Sequence, residues 1–82
     1  MQQVREQVRQ IIARISRIDI DELSDDVNLR EELGIDSLMA MEIIATIEGT
    51  LGIQIDEGIY ADINTIGDFM NLVTTLYREK NG

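Results

Sequence analysis

The chain has 82 residues, no cysteine, no histidine and a formal net charge of −9. This length allows one small domain, and the absence of cysteine excludes disulfides and thiolate metal sites. Between Asp19 and Asp68 the chain holds fourteen acidic residues and a single basic one, Arg30. Such a surface would repel nucleic acid and attract a basic protein surface, although surplus charge also serves solubility alone.

Membrane insertion is disfavoured by the distribution of apolar residues. No stretch approaches the roughly 20 apolar residues of a membrane span, and the N-terminus has no apolar signal core. We expect a cytoplasmic monomer with no membrane span, and the acidic charge disfavours a nucleic-acid partner. The compact ends favour a free-standing chain over one excised from a larger protein.

The first predicted element is an amphipathic helix over about residues 3–17. Apolar residues recur there at helical spacing, with Arg, Glu and Gln between them. Residues 18–36 show no sustained period and are rich in Asp and Glu, which predicts a long loop that is functional or held down. Its expected inward-facing side chains are Val27, Leu29, Leu33 and Ile35.

Three further helices complete the predicted fold. The second covers about residues 37–51, with Asp36 or Ser37 as N-cap and Gly52 as its stop. A short helix covers about residues 57–62. The last runs over about residues 66–78, behind an approximate capping box formed by Thr65 and Asp68. The prediction is an all-α fold, a small bundle of three main helices plus one short helix.

The second helix carries apolar residues on two faces. One is the expected core stripe, made of Ala40, Ile43, Ile44, Ile47 and Leu51. The opposite face holds Leu38, Met41 and Ala45, with Glu42 and Glu48 beside them. An apolar strip rimmed by acids is typical of a docking surface. The alternative is that this helix is central and packs on both sides.

No arrangement of residues in the sequence indicates catalysis by the side chains of this chain alone. A nucleophilic Ser37 would need a base, and the chain has neither histidine nor a Ser-x-x-Lys pair. The acidic loop fails the calcium-loop pattern, and we expect no specific metal site. A serine at a helix N-terminus remains, where a phosphate ester would be electrostatically favoured. The alternative is that Ser37 serves as a helix cap and nothing more.

The run Leu33-Gly34-Ile35-Asp36-Ser37-Leu38, followed by Glu42 and by Ile47-Glu48, resembles the acyl carrier protein family. The likeness extends over almost the whole chain, including the entry to the last helix at residues 63–68. It implies a carrier that is not itself an enzyme, with 4′-phosphopantetheine attached to Ser37 between Asp36 and Leu38. It also implies that the bundle shelters the acyl chain between its helices.

The resemblance also implies partners. A phosphopantetheinyl transferase would add the arm from coenzyme A. Acyltransferase, ketosynthase or acyl-ligase type enzymes of fatty-acid, polyketide or related biosynthesis would dock basic patches on the second helix. The docking residues implied in this way are Leu38, Met39, Met41, Glu42, Ala45 and Glu48.

Several positions depart from the pattern of fatty-acid carriers. Met39 stands where an acid is frequent, Gly49 and Thr50 follow Glu48 in place of acids, and the segment 58–60 is unusual. These departures indicate a specialised carrier for polyketide, lipid or other secondary pathways. An aminoacyl, D-alanyl or peptidyl carrier is an alternative, although Asp36 before the serine favours an acyl carrier. An acidic helical protein-interaction module is an alternative of another class.

Overall fold

The structure is a computed structural model that describes residues 2–81, apart from the side chain of Glu57. It contains four α-helices and one 3₁₀ turn: α1 Gln2–Ser16, the 3₁₀ turn Ile20–Glu22, α2 Ser37–Leu51, α3 Glu57–Tyr60 and α4 Ile66–Asn81. Within the described residues there is no strand, and a single isolated bridge joins Asn28 to Thr65. The predicted all-α bundle of three main helices and one short one is confirmed.

The core is almost entirely aliphatic, because the periodic faces of α1, α2 and α4 supply Val, Ile and Met. Ile47 of α2 and Val8 of α1 have no exposed surface, and Phe69 of α4 is 1% exposed. Burial of each such side chain contributes about 1.5–3 kcal/mol. On α2, four of the five residues of the predicted core stripe are buried, and Leu51 is half-buried against them.

The long segment between α1 and α2 is held against the core by several side chains along its course. Leu29 and Ile35 are buried as predicted, and Val27 and Leu33 pack half-buried against the core. Leu23, which the sequence pattern did not single out, is 1% exposed. An acidic loop of this length is therefore a fixed part of the domain.

Two arginines of α1 bind this segment from outside. The guanidinium of Arg5 lies 3.1 Å and that of Arg9 lies 2.6 Å from the carboxylate of Asp25. Arg9 also donates from Nε to the carbonyl of Leu23, at 2.9 Å. Two of the four arginines among the first seventeen residues are thus committed to an internal contact.

Backbone hydrogen bonds join the same segment to the start of α4. The Gly67 N–H donates to the Asp25 carbonyl at 2.8 Å, and a Cβ at Gly67 would lie 3.0 Å from that oxygen. Only glycine permits this approach without displacement of the backbone. Thr65 and Asp68 form the predicted capping box, with Asp68 N–H donating to Thr65 Oγ1 at 3.1 Å.

The elements differ from the prediction in three places. The 3₁₀ turn lies inside the predicted loop, where Asp19 Oδ1 accepts from the Asp21 N–H at 2.9 Å. α3 is shorter than predicted, because the N–H groups of residues 62 and 63 bond to carbonyls three residues back. α4 continues three residues further, to Asn81, whose side-chain amide donates to the Tyr77 carbonyl at 2.9 Å.

Candidate functional site

Ser37 is the first residue of α2, and Asp36 is the N-cap. Asp36 has extended backbone angles, φ −87° and ψ 178°, and its Oδ1 accepts from the Met39 N–H at 2.8 Å. Ser37 is exposed, and its hydroxyl takes part in no hydrogen bond among the described residues. The alternative in which Ser37 acts as the cap is therefore wrong, because its neighbour fills that role.

The electrostatic setting of Ser37 favours an anion. The first N–H groups of a helix lack intrahelical partners, and the helix dipole adds partial positive charge at this end. Asp36 accepts from the N–H of Met39, and the N–H groups of Ser37 and Leu38 have no hydrogen-bond partner among residues 2–81. A phosphodiester on Ser37 fits this position.

An open cleft of about 420 Å³ borders Ser37. On one side lie residues of α2 and the turn before it; on the other lie Tyr60, the last residue of α3, and Ala61 after it. The lining residues are Arg30, Ile35, Asp36, Ser37, Ala40, Met41, Ile44, Tyr60 and Ala61. Most of this lining is apolar.

Tyr60 lines both the cleft and a small void in the core. Its ring meets Phe69 edge-on, with ring centres 6.2 Å apart and planes at 87°. Behind it, a void of about 10 Å³ lies among core side chains, including Ile12, Ile43 and Phe69. That is about the space one water molecule needs, so this void holds no acyl chain without displacement of side chains.

The Tyr60 hydroxyl is buried and has no hydrogen-bond partner within residues 2–81. Burial raises the pKa of this phenol, and the nearby Arg30 guanidinium partly opposes the rise through its positive charge and its N–H donors. The two groups are close, but the contact between them falls outside the geometry of a hydrogen bond. The Arg30 guanidinium carbon lies 5.4 Å from the centre of the ring. Arg30 is itself held by bonds to the Ile63 carbonyl and to Asn64 Oδ1, the latter at 3.3 Å.

The outer face of α2 is exposed as a docking surface would require. Leu38 is 78% and Met41 54% exposed, and Ala45 and Glu42 lie open to solvent on the same side. The alternative in which α2 packs on both sides is wrong. These four residues, spaced at i, i+3, i+4 and i+7, form what we call the outer strip.

Two of the residues implied as docking contacts are placed differently. Met39 is half-buried and packs against the core. Glu48 is half-buried, and its Oε2 accepts from the Ile55 N–H at 2.8 Å. Its carboxylate therefore ties the segment after α2 to the helix, and Glu42 is the carboxylate of α2 that is fully available to a partner.

Sequence patterns did not assign Arg30, Tyr60 or Ile59 to the site. Arg30 was visible as the one basic residue in an acidic segment, and Tyr60 as part of an unusual run. Neither signal indicates that the two side chains meet, because they lie 30 positions apart. Ile59 of α3 is 43% exposed and adds an apolar side chain beside Tyr60 in the chain.

Other kinds of site find no basis in the described part of the chain. Within residues 2–81, no three acidic side chains come together in a way that could hold a metal ion. None of the helices there combines the length and apolarity needed to cross a membrane.

Comparison with known proteins assigns the family. The profile of the family described as "Phosphopantetheine attachment site" matches residues 6–73, which include the whole of α2 and the serine at its start. The chain is 32% identical over 71 residues to polyketide-8 synthase acyl carrier protein 2 of Streptomyces avermitilis, covering 87% of this chain and 82% of that protein. The chain belongs to the acyl carrier protein family. It is a carrier of acyl groups on a covalent 4′-phosphopantetheine and not an enzyme, as the sequence predicted.

Two further relatives of this acyl carrier protein differ in size. The acyl carrier protein of Saccharopolyspora erythraea is 28% identical over 74 residues, which span 90% of this chain and 78% of that one. Atrochrysone carboxylic acid synthase of Passalora fulva is 37% identical over 68 residues, which span 83% of this chain and 4% of that protein. The same carrier unit thus occurs both as a small protein and within a much larger one.

Proposed function

We propose that Ser37 is the attachment point of the phosphopantetheine arm. The observation that carries this is the exposed, unbonded hydroxyl at the start of α2, freed by Asp36 acting as cap. In the transfer, Ser37 Oγ forms a bond to the phosphorus that bears the pantetheine of coenzyme A. The pyrophosphate bond breaks, adenosine 3′,5′-bisphosphate leaves, and the hydroxyl proton passes to a base of the transferase.

Incubation with coenzyme A and a broad-specificity phosphopantetheinyl transferase tests this assignment. Intact mass spectrometry should show one added phosphopantetheine in the unaltered protein and none in Ser37→Ala. Ser24→Ala is the matched control, since Ser24 is an exposed serine that bonds to Asp26 at 2.9 Å within the acidic loop. Loss of loading in the Ser24 variant, or persistent loading in Ser37→Ala, would overturn the assignment.

The arm supplies the reactive group with which the carrier would deliver acyl groups to partner enzymes. With no cysteine of its own, it depends on the terminal thiol of the arm for the thioester. Tethering raises the local concentration of the acyl group at a docked enzyme. The proposed partners are the transferase and biosynthetic enzymes of the acyltransferase, ketosynthase or acyl-ligase type.

A polyketide pathway is the favoured setting, and two observations support it. A relative that aligns over most of its length is named as a polyketide synthase carrier. In addition, α2 carries Glu42 and Glu48 as its only acids, and Glu48 is engaged internally. We place the protein in the cytoplasm as a single carrier domain that acts as a monomer.

The outer strip of α2 is proposed as the docking surface. Leu38 and Met41 would enter an apolar recess of the partner, and Glu42 would pair with a basic side chain at its rim. Met39 and Glu48, which the resemblance also implies, would act by fixing the helix and the segment after it.

A charge-reversal pair tests the docking surface. Glu42→Lys should lower the association rate with the transferase on the order of 2- to 10-fold at low salt, with less effect at high salt. Glu79→Lys makes the same charge change on the exposed part of α4 and should leave the rate nearly unchanged. Equal effects of the two variants would assign any loss to net charge and refute a defined docking surface.

A further inference from the structure

Arg30 is the one basic residue among those that line the cleft beside Ser37. It is exposed, and fourteen acidic residues surround it in the sequence between positions 19 and 68. Among the side chains that the structure describes, however, the ion pairs join Arg5 and Arg9 to Asp25, and Arg30 forms none. The positive charge of Arg30 therefore has no carboxylate partner in the described part of the chain.

Neutral groups hold the Arg30 side chain in place. The Ile63 carbonyl and Asn64 Oδ1 both accept from its Nη2, the latter at 3.3 Å. Its guanidinium carbon lies 5.4 Å from the centre of the Tyr60 ring. A guanidinium has N–H donors on three nitrogens, and those on Nε and Nη1 make no hydrogen bond within residues 2–81. Because the side chain is already ordered, a ligand that used these donors would cost little further entropy.

The proposed arm brings an anion to the same cleft. Its phosphorus is bonded directly to Ser37 Oγ, so the phosphate stays beside this residue wherever the rest of the arm lies. The carboxylate of Asp36, which precedes Ser37 and also lines the cleft, repels that phosphate. Loading therefore places a second negative charge at this end of the cleft, and Arg30 is the cation there that can offset it.

The chemistry of the two groups matches. A guanidinium presents its donors in a planar fork, which suits the paired oxygens of a phosphate better than the single ammonium of lysine does. The non-bridging oxygens of a phosphodiester are acceptors only. They can receive the N–H groups that the neutral partners of Arg30 leave unused.

We propose that Arg30 is the counter-cation of the arm and donates from Nε and Nη1 to the phosphodiester on Ser37. It rests on the proposed attachment of the arm at Ser37. The contact fixes the direction in which the arm leaves α2, toward the side of the cleft where Arg30 lies. Arg30 is thus a positioning residue for the arm and takes no part in bond making or breaking.

Melting temperatures of the apo and holo forms test the contact. Coenzyme A and a broad-specificity phosphopantetheinyl transferase convert one form to the other, and intact mass verifies complete loading. The quantity compared is the holo value minus the apo value within each variant, so any effect of Arg30→Gln on the apo fold cancels. At low salt this difference should be more positive in the unaltered protein than in Arg30→Gln by about 1–8 °C. The excess should shrink in 1 M salt.

Phosphorus NMR of the holo protein reports on the phosphodiester itself. In Arg30→Gln its resonance should move toward the position found in the urea-unfolded holo protein, where no folded contact remains. Arg14→Gln is the matched control, because Arg14 is an exposed arginine of α1 that does not line the cleft. This variant makes the same change of charge and should leave the resonance and the melting difference as they are in the unaltered protein.

Three results would overturn the assignment of Arg30. The first is a phosphorus resonance that does not move in Arg30→Gln, and the second is an equal effect of Arg30→Gln and Arg14→Gln on the melting difference. The third is slower loading of Arg30→Gln with an unmoved resonance, which would place Arg30 in contact with the transferase instead. Failure of the unaltered protein to load at Ser37 would overturn the proposed function, and the role of Arg30 with it.

Discussion

The assignment of Asp36, and not Ser37, as the cap of α2 leads to a quantitative prediction for two adjacent residues. Asp36→Ala removes the bond from the Met39 N–H to Oδ1, which measures 2.8 Å. Loss of such a cap costs about 1 kcal/mol, within a range of about 0.5–2 kcal/mol. Loss of negative charge near the helix N-terminus adds about 0.3–1 kcal/mol at low salt. Ser37→Ala removes no bond and should change the free energy of unfolding by less than about 0.5 kcal/mol.

Urea unfolding of the apo protein, followed by circular dichroism, measures these free energies. In thermal unfolding, the melting temperature of Asp36→Ala should be lower by about 4–8 °C for each 1 kcal/mol of stability lost. Asp36→Asn is the matched control, because asparagine caps about as well as aspartate, so this variant should lose the charge contribution alone. If Ser37→Ala lost as much stability as Asp36→Ala, the serine would be a structural cap, and the reasoning that its hydroxyl is free would be refuted.

Three further predictions concern the packing and charge around the site. Gly67→Ala should destabilise the fold by about 1–3 kcal/mol, because the added Cβ would lie 3.0 Å from a backbone oxygen. Gly49→Ala is the control, because nothing lies within 4 Å of its added Cβ, and it should be neutral or stabilising. Equal denaturation midpoints for the two variants would contradict the close approach at Gly67. Asp25→Asn should lower the free energy of unfolding by less than about 1 kcal/mol at low salt, and this difference from the unaltered protein should vanish near 1 M salt. A difference that does not depend on salt would rule out ion pairing as its cause. Because the pKa of Tyr60 is raised by burial, the folded state keeps its proton more tightly than the unfolded state, so this residue's contribution to stability is complete below about pH 10 and is lost as the pH rises further. The stability of Tyr60→Phe should therefore gain on that of the unaltered protein above that pH, and a constant difference in urea titrations would contradict the burial of the hydroxyl.

The contacts of the N-terminal arginines depend on the fold and not on local sequence. Four arginines near the N-terminus could be read from the chain, but not their partners. Arg5 and Arg9 meet Asp25 across 20 and 16 positions. Folding brings them together because α1 packs beside the acidic segment, and no local pattern records that proximity.

The helices can be predicted from local sequence, because their apolar residues repeat with the period of the backbone. Local sequence also shows that the carrier lacks a reactive group of its own and that its motif is that of an acyl carrier protein. The folded chain is needed to show that Asp36 caps α2, that Leu38 and Met41 face solvent, and that Glu48 accepts a hydrogen bond from Ile55. Only there do Arg30 and Tyr60 meet beside Ser37. A helical period is a property of neighbours in the chain, whereas a choice between two adjacent caps, or between a buried and an exposed apolar face, depends on what distant segments bring alongside.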